Sequence, residues 1–467
     1  MKQSVKAISI LLLVNGLLIG KNLSITSVNF LDNFELLDVY IHNRLGTDYA
    51  FVTGGLGGLN IVDISNPSEV QVISEYFSYN CDFGRIYSWS TSENYAYGAG
   101  RECGLEVIDI LNLDQPIHVR TMTELVNNEV VRYEHTEVQN DLLFASRHQH
   151  GVEIFDIHVP STPNPLATVP TENAWSTLAD GNYLYVADGS YGLKIIDISI
   201  PSNANVISAV PTSGTAKDIA KSGDFLFIAV GAAGADMFDV SDHNNPVLMS
   251  NYNTSGYASR IAVFDSIVAV SDWDDVEVMS FSSGNLELVG YKKTGGRVMA
   301  LAMVNQFIYS AEWLKMIVFE YGQVETADID FSTVNVSFSR VASGNSGTRG
   351  LVVENNGLSP LTIDGIVINS SDFLLQFNSD PIQPGESRTG IITYTPQSNQ
   401  WQTQLEFHTN DRDEEIGKVK LTGNFPFGPM PGDSTPDFTL PVVNGAGNLS
   451  LSDLAGQPVV IAFFTGW

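Results

Sequence analysis

The sequence predicts an all-β protein: a closed seven-bladed β-propeller, then a β-sandwich, then the opening strands of a third and incomplete domain. Three observations carry this. A short phrase recurs seven times; each copy follows an aromatic, β-branched run; and no stretch between copies shows helical periodicity. The copies are GLNIVDI from Gly58, GLEVIDI from Gly104, GVEIFDI from Gly151, GLKIIDI from Gly192 and GADMFDV from Gly234, with decayed forms DVEVMSF from Asp275 and KMIVFEY from Lys315. Their starts are spaced by 46, 47, 41, 42, 41 and 40 residues. A unit of about 40 residues holding several short strands is the sequence form of a propeller blade.

Within a unit the elements follow from composition. Runs such as YAFVTGG from Tyr49 and YLYVADG from Tyr183 supply one strand, the phrase supplies the next, and a shorter apolar run such as AKDIAKSG from Ala216 supplies the inner strand ahead of both. Phrases such as LNIVDI are apolar on both alternations, as expected of strands covered on both faces. A ring removes the exposed edges that a linear stack would leave. SITSVNFLD, Ser24 to Asp32, resembles the segments that follow the phrase elsewhere, and is expected to close the ring by pairing in the last unit.

The wording resembles the LVIVP-repeat family of exported propellers, with GGLNIVDISNP (Gly57 to Pro67) and YVADGSYGLKIIDISIP (Tyr185 to Pro201) as the nearest passages. That resemblance implies a propeller over residues 23–323 and an extracytoplasmic module without a shared chemistry.

Lys2 and Lys6 precede an apolar stretch, Ile8 to Gly20, that is short for a membrane span and suited to a signal-peptide core, so residues 1–22 are expected to direct export. KNLSITS is a poor cleavage site, which leaves an uncleaved N-terminal anchor as the alternative; no other stretch approaches the length of a span. The expected location is secreted, cell-surface or periplasmic. A formal charge of −30, from 53 acids against 23 bases, excludes a phosphate-backbone partner, so nucleic acid is set aside. The partner expected is a protein, peptide or small molecule, with no cofactor.

Cys81 and Cys103 both fall in the second unit, just before its inner and third strands and at one end of the blade. Those strands lie about 9.6 Å apart, yet loop residues at that end can approach the roughly 6 Å a disulfide needs. The pairing is the expectation, and two separate buried thiols the alternative. The recurring acid at Asp63, Asp109, Asp156, Asp197 and Asp239 sits at a strand end before a turn, where a carboxylate accepts backbone N–H bonds; it is read as a blade-building element.

Residues that break the repeat are the candidates for function. In the third unit His135, His148 and His150, with Glu134, are expected at one end of the blade, where they could bind a transition metal or simply hydrogen-bond loop backbone, the plainer reading. Inner-strand positions Ser176, Asp218 and Arg260, with Trp175 and Arg297 close by, are expected at the channel mouth as a ligand surface, or else as a salt-bridged channel with no ligand. SDWDD, Ser271 to Asp275, is too short for a calcium loop. No catalytic residue is assigned.

After Gly322 the strands and turns read as a β-sandwich over residues 326–424. VVENNGLSPLTIDGIVINSSDF from Val352, PIQPGESRTGIITYTP from Pro381 and FHTNDRDEE from Phe407 resemble Hydin-like and choice-of-anchor immunoglobulin-like domains, which implies a spacer or interaction module. Residues 430–467 resemble the opening of the redoxins, the TlpA-like thioredoxins and the peroxiredoxins, at Gly432, Asp433, Pro436, Asp437, Phe438, Leu440, Leu451, Asp453, Leu454, Gly456 and Pro458. In the TlpA-like branch a redox Cys would follow Trp467. The tail is therefore expected to be a truncated thioredoxin-like start without thiol chemistry. The expected function is an exported binding or scaffold protein; the alternative is an extracytoplasmic thiol-disulfide oxidoreductase or antioxidant enzyme whose catalytic Cys lies beyond this chain.

Overall fold

The computed structural model describes residues 23–424, apart from 32–34, 56–57, 79–84, 102, 283, 323, 325, 339–340, 343, 398–400 and 413, together with two short strands, Thr439–Pro441 and Asn448–Ser450. Among the described residues there are strands and a single 3-10 turn, Pro201–Asn203, and no α-helix. The fold is all-β, made of repeated small antiparallel sheets in the manner of a β-propeller.

Each of the first five units is a four-stranded antiparallel sheet with its strands in chain order. The sixth and seventh share one seven-stranded sheet, because the 18-residue strand Glu287–Val304 pairs first with Trp273–Ser280 and then, through Val298–Val304, with Phe307–Glu312. The N-terminal strand Leu23–Phe30 completes that sheet, antiparallel to Lys315–Tyr321 from Leu23 opposite Tyr321 to Phe30 opposite Lys315, as the sequence anticipates.

The inner strands are Leu36–Arg44, Ile86–Ser92, His135–Gln139, Ser176–Asp180, Asp218–Ser222, Arg260–Phe264 and the second half of Glu287–Val304. Each packs against the next, and the last packs against Leu36–Arg44. That closing contact is apolar: Leu36, Val39, Ala50 and Val52 share a buried cluster with Ala300, Tyr309, Ala311, Met316 and Val318. Third strands such as Gly58–Asp63 and Gly104–Asp109 are buried on both faces except at the last residue, so each unit depends on both neighbours.

The repeated phrase has a physical reason at each position. Its Gly takes a left-handed φ of +93° at Gly104, +78° at Gly151, +86° at Gly192 and +82° at Gly234. A Cβ there would stand 2.2, 2.3, 2.3 and 2.1 Å from a carbonyl oxygen at the end of the fourth strand, so only glycine fits. Its Asp makes the expected turn: Asp63, Asp109, Asp156, Asp197 and Asp239 each accept a bond at 2.7–2.9 Å from the backbone N–H two residues on. Between these positions, a one-residue bulge recurs against the fourth strand in the first six units, at Ile61/Val62, Val107/Ile108, Ile154/Phe155, Ile195/Ile196, Met237/Phe238 and Val278/Met279. Such a bulge increases the local twist.

Two further four-stranded sheets face each other around one core that includes Ile329, Leu351, Tyr394, Leu405, Phe407 and Leu421. They are joined to the ring by a buried charge. Lys292, from the long strand, places Nζ 2.7 Å from Asp328, 2.8 Å from Glu414 and 3.7 Å from Asp330. Nearby, the Tyr291 hydroxyl donates to Glu354 at 3.1 Å. Burial disfavours the lysine's charge, but the carboxylates outweigh it and hold its pKa well above the ordinary value. The tail resembling a redoxin lies outside the described residues, except for the hairpin of Thr439–Pro441 and Asn448–Ser450.

Gly192→Ala should lower stability by about 1–3 kcal/mol, from strain at a positive φ and the clash with Val210 O, whereas Gly181→Ala, at φ +59° with open space around it, should cost less. Urea unfolding of both variants checks this. Removing the ammonium in Lys292→Met leaves buried carboxylates without their cation and should cost about 3–5 kcal/mol, read by the same method.

Candidate functional site

One end of the ring carries a cavity of about 360 Å³ lined by one residue from each unit: Leu37, Tyr87, Glu134, Trp175, Lys217, Ser259 and Met299. Most of these lie at or just before the start of an inner strand, so the geometry that closes the ring also gathers them. Arg101, Tyr257, Arg260 and Trp273 complete the wall.

The wall is organised by cations lying on aromatic faces. Lys217 Nζ lies 3.2 Å from the centre of the Trp175 ring, the Arg101 guanidinium 3.9 Å from Tyr87, and Arg297 4.2 Å from Trp273 and 5.5 Å from Trp313. Tyr257 and Trp273 meet at 5.0 Å, and His148 stands edge-on to Trp175 at 4.9 Å. Glu134 is the carboxylate of the wall, and it is saturated: it takes both forks of Arg101, at 2.6 and 2.8 Å, and His148 Nε2 at 3.1 Å. Burial would raise its pKa, but the bonds from His148 and Arg101 prevail and hold it at about 2. Lys217 is also lowered, mainly by desolvation, to about 8, which in its case disfavours the charged form.

Of the residues expected at the mouth, Trp175 and Arg260 line the cavity and Arg297 lies on the Trp273 ring that bounds it. Ser176 and Asp218 belong to a buried polar chain instead. Ser176 donates to Asp218 at 2.8 Å, Asp218 accepts the Ile261 N–H at 3.0 Å, and Arg260 Nε reaches Asp38 at 3.3 Å. Desolvation raises Asp38 to about 6 against the pull of Arg260. The cavity-facing residue is the one before: Trp175, Lys217 and Ser259 rather than Ser176, Asp218 and Arg260 alone. Lys217 and Ser259 are missed in the sequence for that reason; their signal is the position one step ahead of the inner strand.

The three histidines have different surroundings. His135 Nδ1 lies 3.4 Å from Thr177 Oγ1, His148 bridges Glu134 and Asn173, and His148 and His150 together line a second groove of about 340 Å³ with Arg132 and Arg147. Among the described residues, groups able to hold a metal are Asp272, Asp275, Glu277 and Asp328, Asp411, Glu414; none contains a histidine. Cys103 is buried and there is no free cysteine among the described residues, while Cys81 lies outside them.

Compared with known families, residues 45–80, 87–123, 172–212 and 213–254 match the LVIVD repeat. The chain carries four LVIVD repeats. The four segments fall on the first, second, fourth and fifth units, and together cover about a third of the chain. The unmatched third unit is the one with the displaced histidines, and the sixth and seventh are those with the decayed phrase. No curated protein sequence matches. Among solved structures, that of U3-55K is similar at a TM-score of 0.51 and 9% identity, over 64% of this chain and 98% of its own, and shows a shared fold. The computationally designed Ika8 protein is similar at 0.45 and 9% identity, over 63% of this chain and 100% of its own.

Glu134→Gln should destabilise the protein at neutral pH by on the order of 3 kcal/mol, the value of a carboxyl lowered from 4.5 to about 2. Because the folded pKa is the lower one, this contribution is full above pH 5 and is lost as pH falls to 2. Wild type and variant should therefore converge over that window in urea unfolding.

Proposed function

We propose that the LVIVD-repeat region is a seven-bladed β-propeller serving as a binding scaffold, and that its mouth takes a small organic anion with an apolar or planar body. The observation that carries this is the set of cations on aromatic faces. In a chain of net charge −30, the mouth assembles Arg101, Lys217, Arg260 and Arg297 beside Tyr87, Trp175, Tyr257 and Trp273, and Lys217 and Arg297 have no ion-pair partner among the described residues. A ligand carboxylate would find these charges already held in place, and its body would lie on ring faces. The cavity falls within the range of small-molecule sites, roughly 300–1,000 Å³.

The seven-blade count is supported by the closed succession of inner strands and by a cavity to which all seven units contribute at least one residue. We read the two facing sheets after the ring as an immunoglobulin-like spacer, supported by the sequence resemblance and the shared core. Export is supported by Lys2, Lys6 and the apolar stretch Ile8 to Gly20, and the Cys81–Cys103 bridge by that compartment. The oxidoreductase alternative rests on the resemblance of residues 430–467 alone, and no observation in the ring favours it.

Titration of 2-naphthoate, followed by tryptophan fluorescence, should show saturable binding that 2-naphthylmethanol does not reproduce. Trp175→Ala should weaken it at least tenfold. Since Lys217 loses its proton as pH rises through about 8, affinity should fall above that pH in the wild type and much less in Lys217→Arg. Equal binding of the neutral analogue would refute the anion reading.

A further inference from the structure

The first six units face the same problem near the top of the third strand, where a polar residue sits opposite the end of the second strand: Asn60, Glu106, Glu153, Lys194, Asp236 and Glu277, with Ile317 in the seventh. By ladder register the third-strand residue is Glu153 in the third unit, opposite Ala145, Lys194 in the fourth, opposite Val186, Asp236 in the fifth, opposite Ile228, and Glu277 in the sixth, opposite Val270. The third and fourth units answer with opposite charges. Arg147 meets Glu153 at 2.9 Å, and Lys194 meets Asp188 at 3.0 Å. The fifth has Asp236 alone, bound by Ser213 N–H at 2.7 Å and Asn251 at 2.8 Å.

The sixth unit is different. The position held by Asp188 in the fourth is Asp272, the position of Lys194 is Glu277, and the repeat's glycine is replaced by Asp275. Three carboxylates, 0%, 4% and 1% exposed respectively, meet where another unit places an acid and a base. Each offers an oxygen within 4.8 Å of the others. Asp272 and Glu277 are anchored by one oxygen: Asp272 Oδ2 accepts Gly256 N–H at 2.7 Å and Glu277 Oε1 accepts Ser255 N–H at 2.8 Å. Asp275 Oδ2 receives only Ser255 Oγ at 3.3 Å and Lys293 Nζ at 3.5 Å. The second oxygen of every one, Asp272 Oδ1, Asp275 Oδ1 and Glu277 Oε2, is buried with no hydrogen-bond partner. Independently, Thr254, 5% exposed, faces Asp272 with its Oγ1 out of hydrogen-bond geometry. Orphaned buried oxygens converging from three side chains cost more than a protein of marginal stability keeps without a compensating cation.

We propose that the sixth unit binds one divalent cation of the calcium type, held by the free carboxylate oxygens of Asp272, Asp275 and Glu277. The ligand set is all oxygen, which suits calcium or magnesium and not zinc or copper. Lys293 does not fill the gap: its single ammonium pairs at 3.5 Å with Asp274 and Asp275 and forms no ion pair with Asp272 or Glu277. The contrast within the same chain is the other acidic group, Asp328, Asp411 and Glu414, which has Lys292 Nζ 2.7 and 2.8 Å from two of its members and needs no ion. The ion would also pin the loop that presents Trp273, which lines the mouth cavity.

The test uses the full chain, stripped with chelator and desalted. Calcium titrated by calorimetry should bind with one equivalent and raise the Tm, and terbium should luminesce on excitation of Trp273, its sequence neighbour. Asp275→Asn and Glu277→Gln should each weaken both signals at least tenfold. Asp275→Asn should raise the Tm of the ion-free protein, because it removes a buried like charge, which also shows that the variant folds. Lys293→Met should tighten binding. No calcium-dependent shift at millimolar concentration, or terbium binding unchanged in Asp275→Asn, would overturn the site.

Discussion

A four-stranded sheet buried on both faces cannot stand alone, and everything else in this molecule follows from that. The third strands carry apolar side chains toward both neighbours, so each unit is an incomplete core that a neighbour on either side must finish. A row of such units exposes two raw faces and one open edge wherever it stops. Joining the last unit to the first removes both faces at once, through the cluster of Leu36, Val39 and Val52 with Ala300, Tyr309 and Met316. The strand Leu23–Phe30 covers the remaining edge by taking up the ladder of Lys315–Tyr321. Ring closure is therefore a condition of burying the core as well as an outcome of it.

Closure also creates the mouth. Inner strands that converge on one axis bring their first residues together, so a position that is unremarkable in each unit becomes one wall of a shared cavity. Natural variation at that single position then sets the chemistry: Glu134, Trp175, Lys217 and Ser259 are equivalent in the repeat and have little else in common. The framework holds them without help from the ligand. Arg101 is fixed by Glu134, Lys217 by the face of Trp175, and Arg297 by Trp273. Preorganised cations of this kind spare a bound anion the cost of ordering long side chains.

The architecture was legible because the repeat is a statement about backbone. A glycine that must adopt positive φ and an aspartate that must bond a turn N–H recur wherever the strand ends in the same way, and both survive in sequence as an obvious phrase. The closing strand was legible for a similar reason, since it resembles the fourth strands it replaces. The mouth was legible only to within one residue. Period-two alternation turns a one-step error into the opposite side of the strand, which sent the reading to Ser176 and Asp218 while Lys217, beside them, faces the cavity. The histidines show a different limit. His148 and His150 are two apart in sequence and both line one groove, yet His148 also turns its Nε2 to Glu134 in the mouth wall, because the loop between the strands turns there, with His148 at a φ of 49°. Strand spacing does not survive such a turn.

Buried charge shows the same logic of repetition and exception. A unit that places a carboxylate beside its third strand needs something positive or a set of donors near it. Arg147, Lys194 and Lys292 are three solutions drawn from three places in the chain: the end of a second strand, the third strand itself, and a strand reaching into the next domain. Each pairs within about 3 Å, the geometry that offsets desolvation. The sixth unit has lost both positions where such a base could come from and has gained a third carboxylate where the repeat has glycine. Sequence reading dismissed SDWDD as too short for a calcium loop, and as a contiguous loop it is. What makes the region acidic enough is Glu277, supplied by the strand that follows, with Thr254 and Ser255 supplied by the strand end twenty residues earlier. A site assembled by the ladder leaves no contiguous motif, and it becomes visible only when equivalent positions of the units are set side by side.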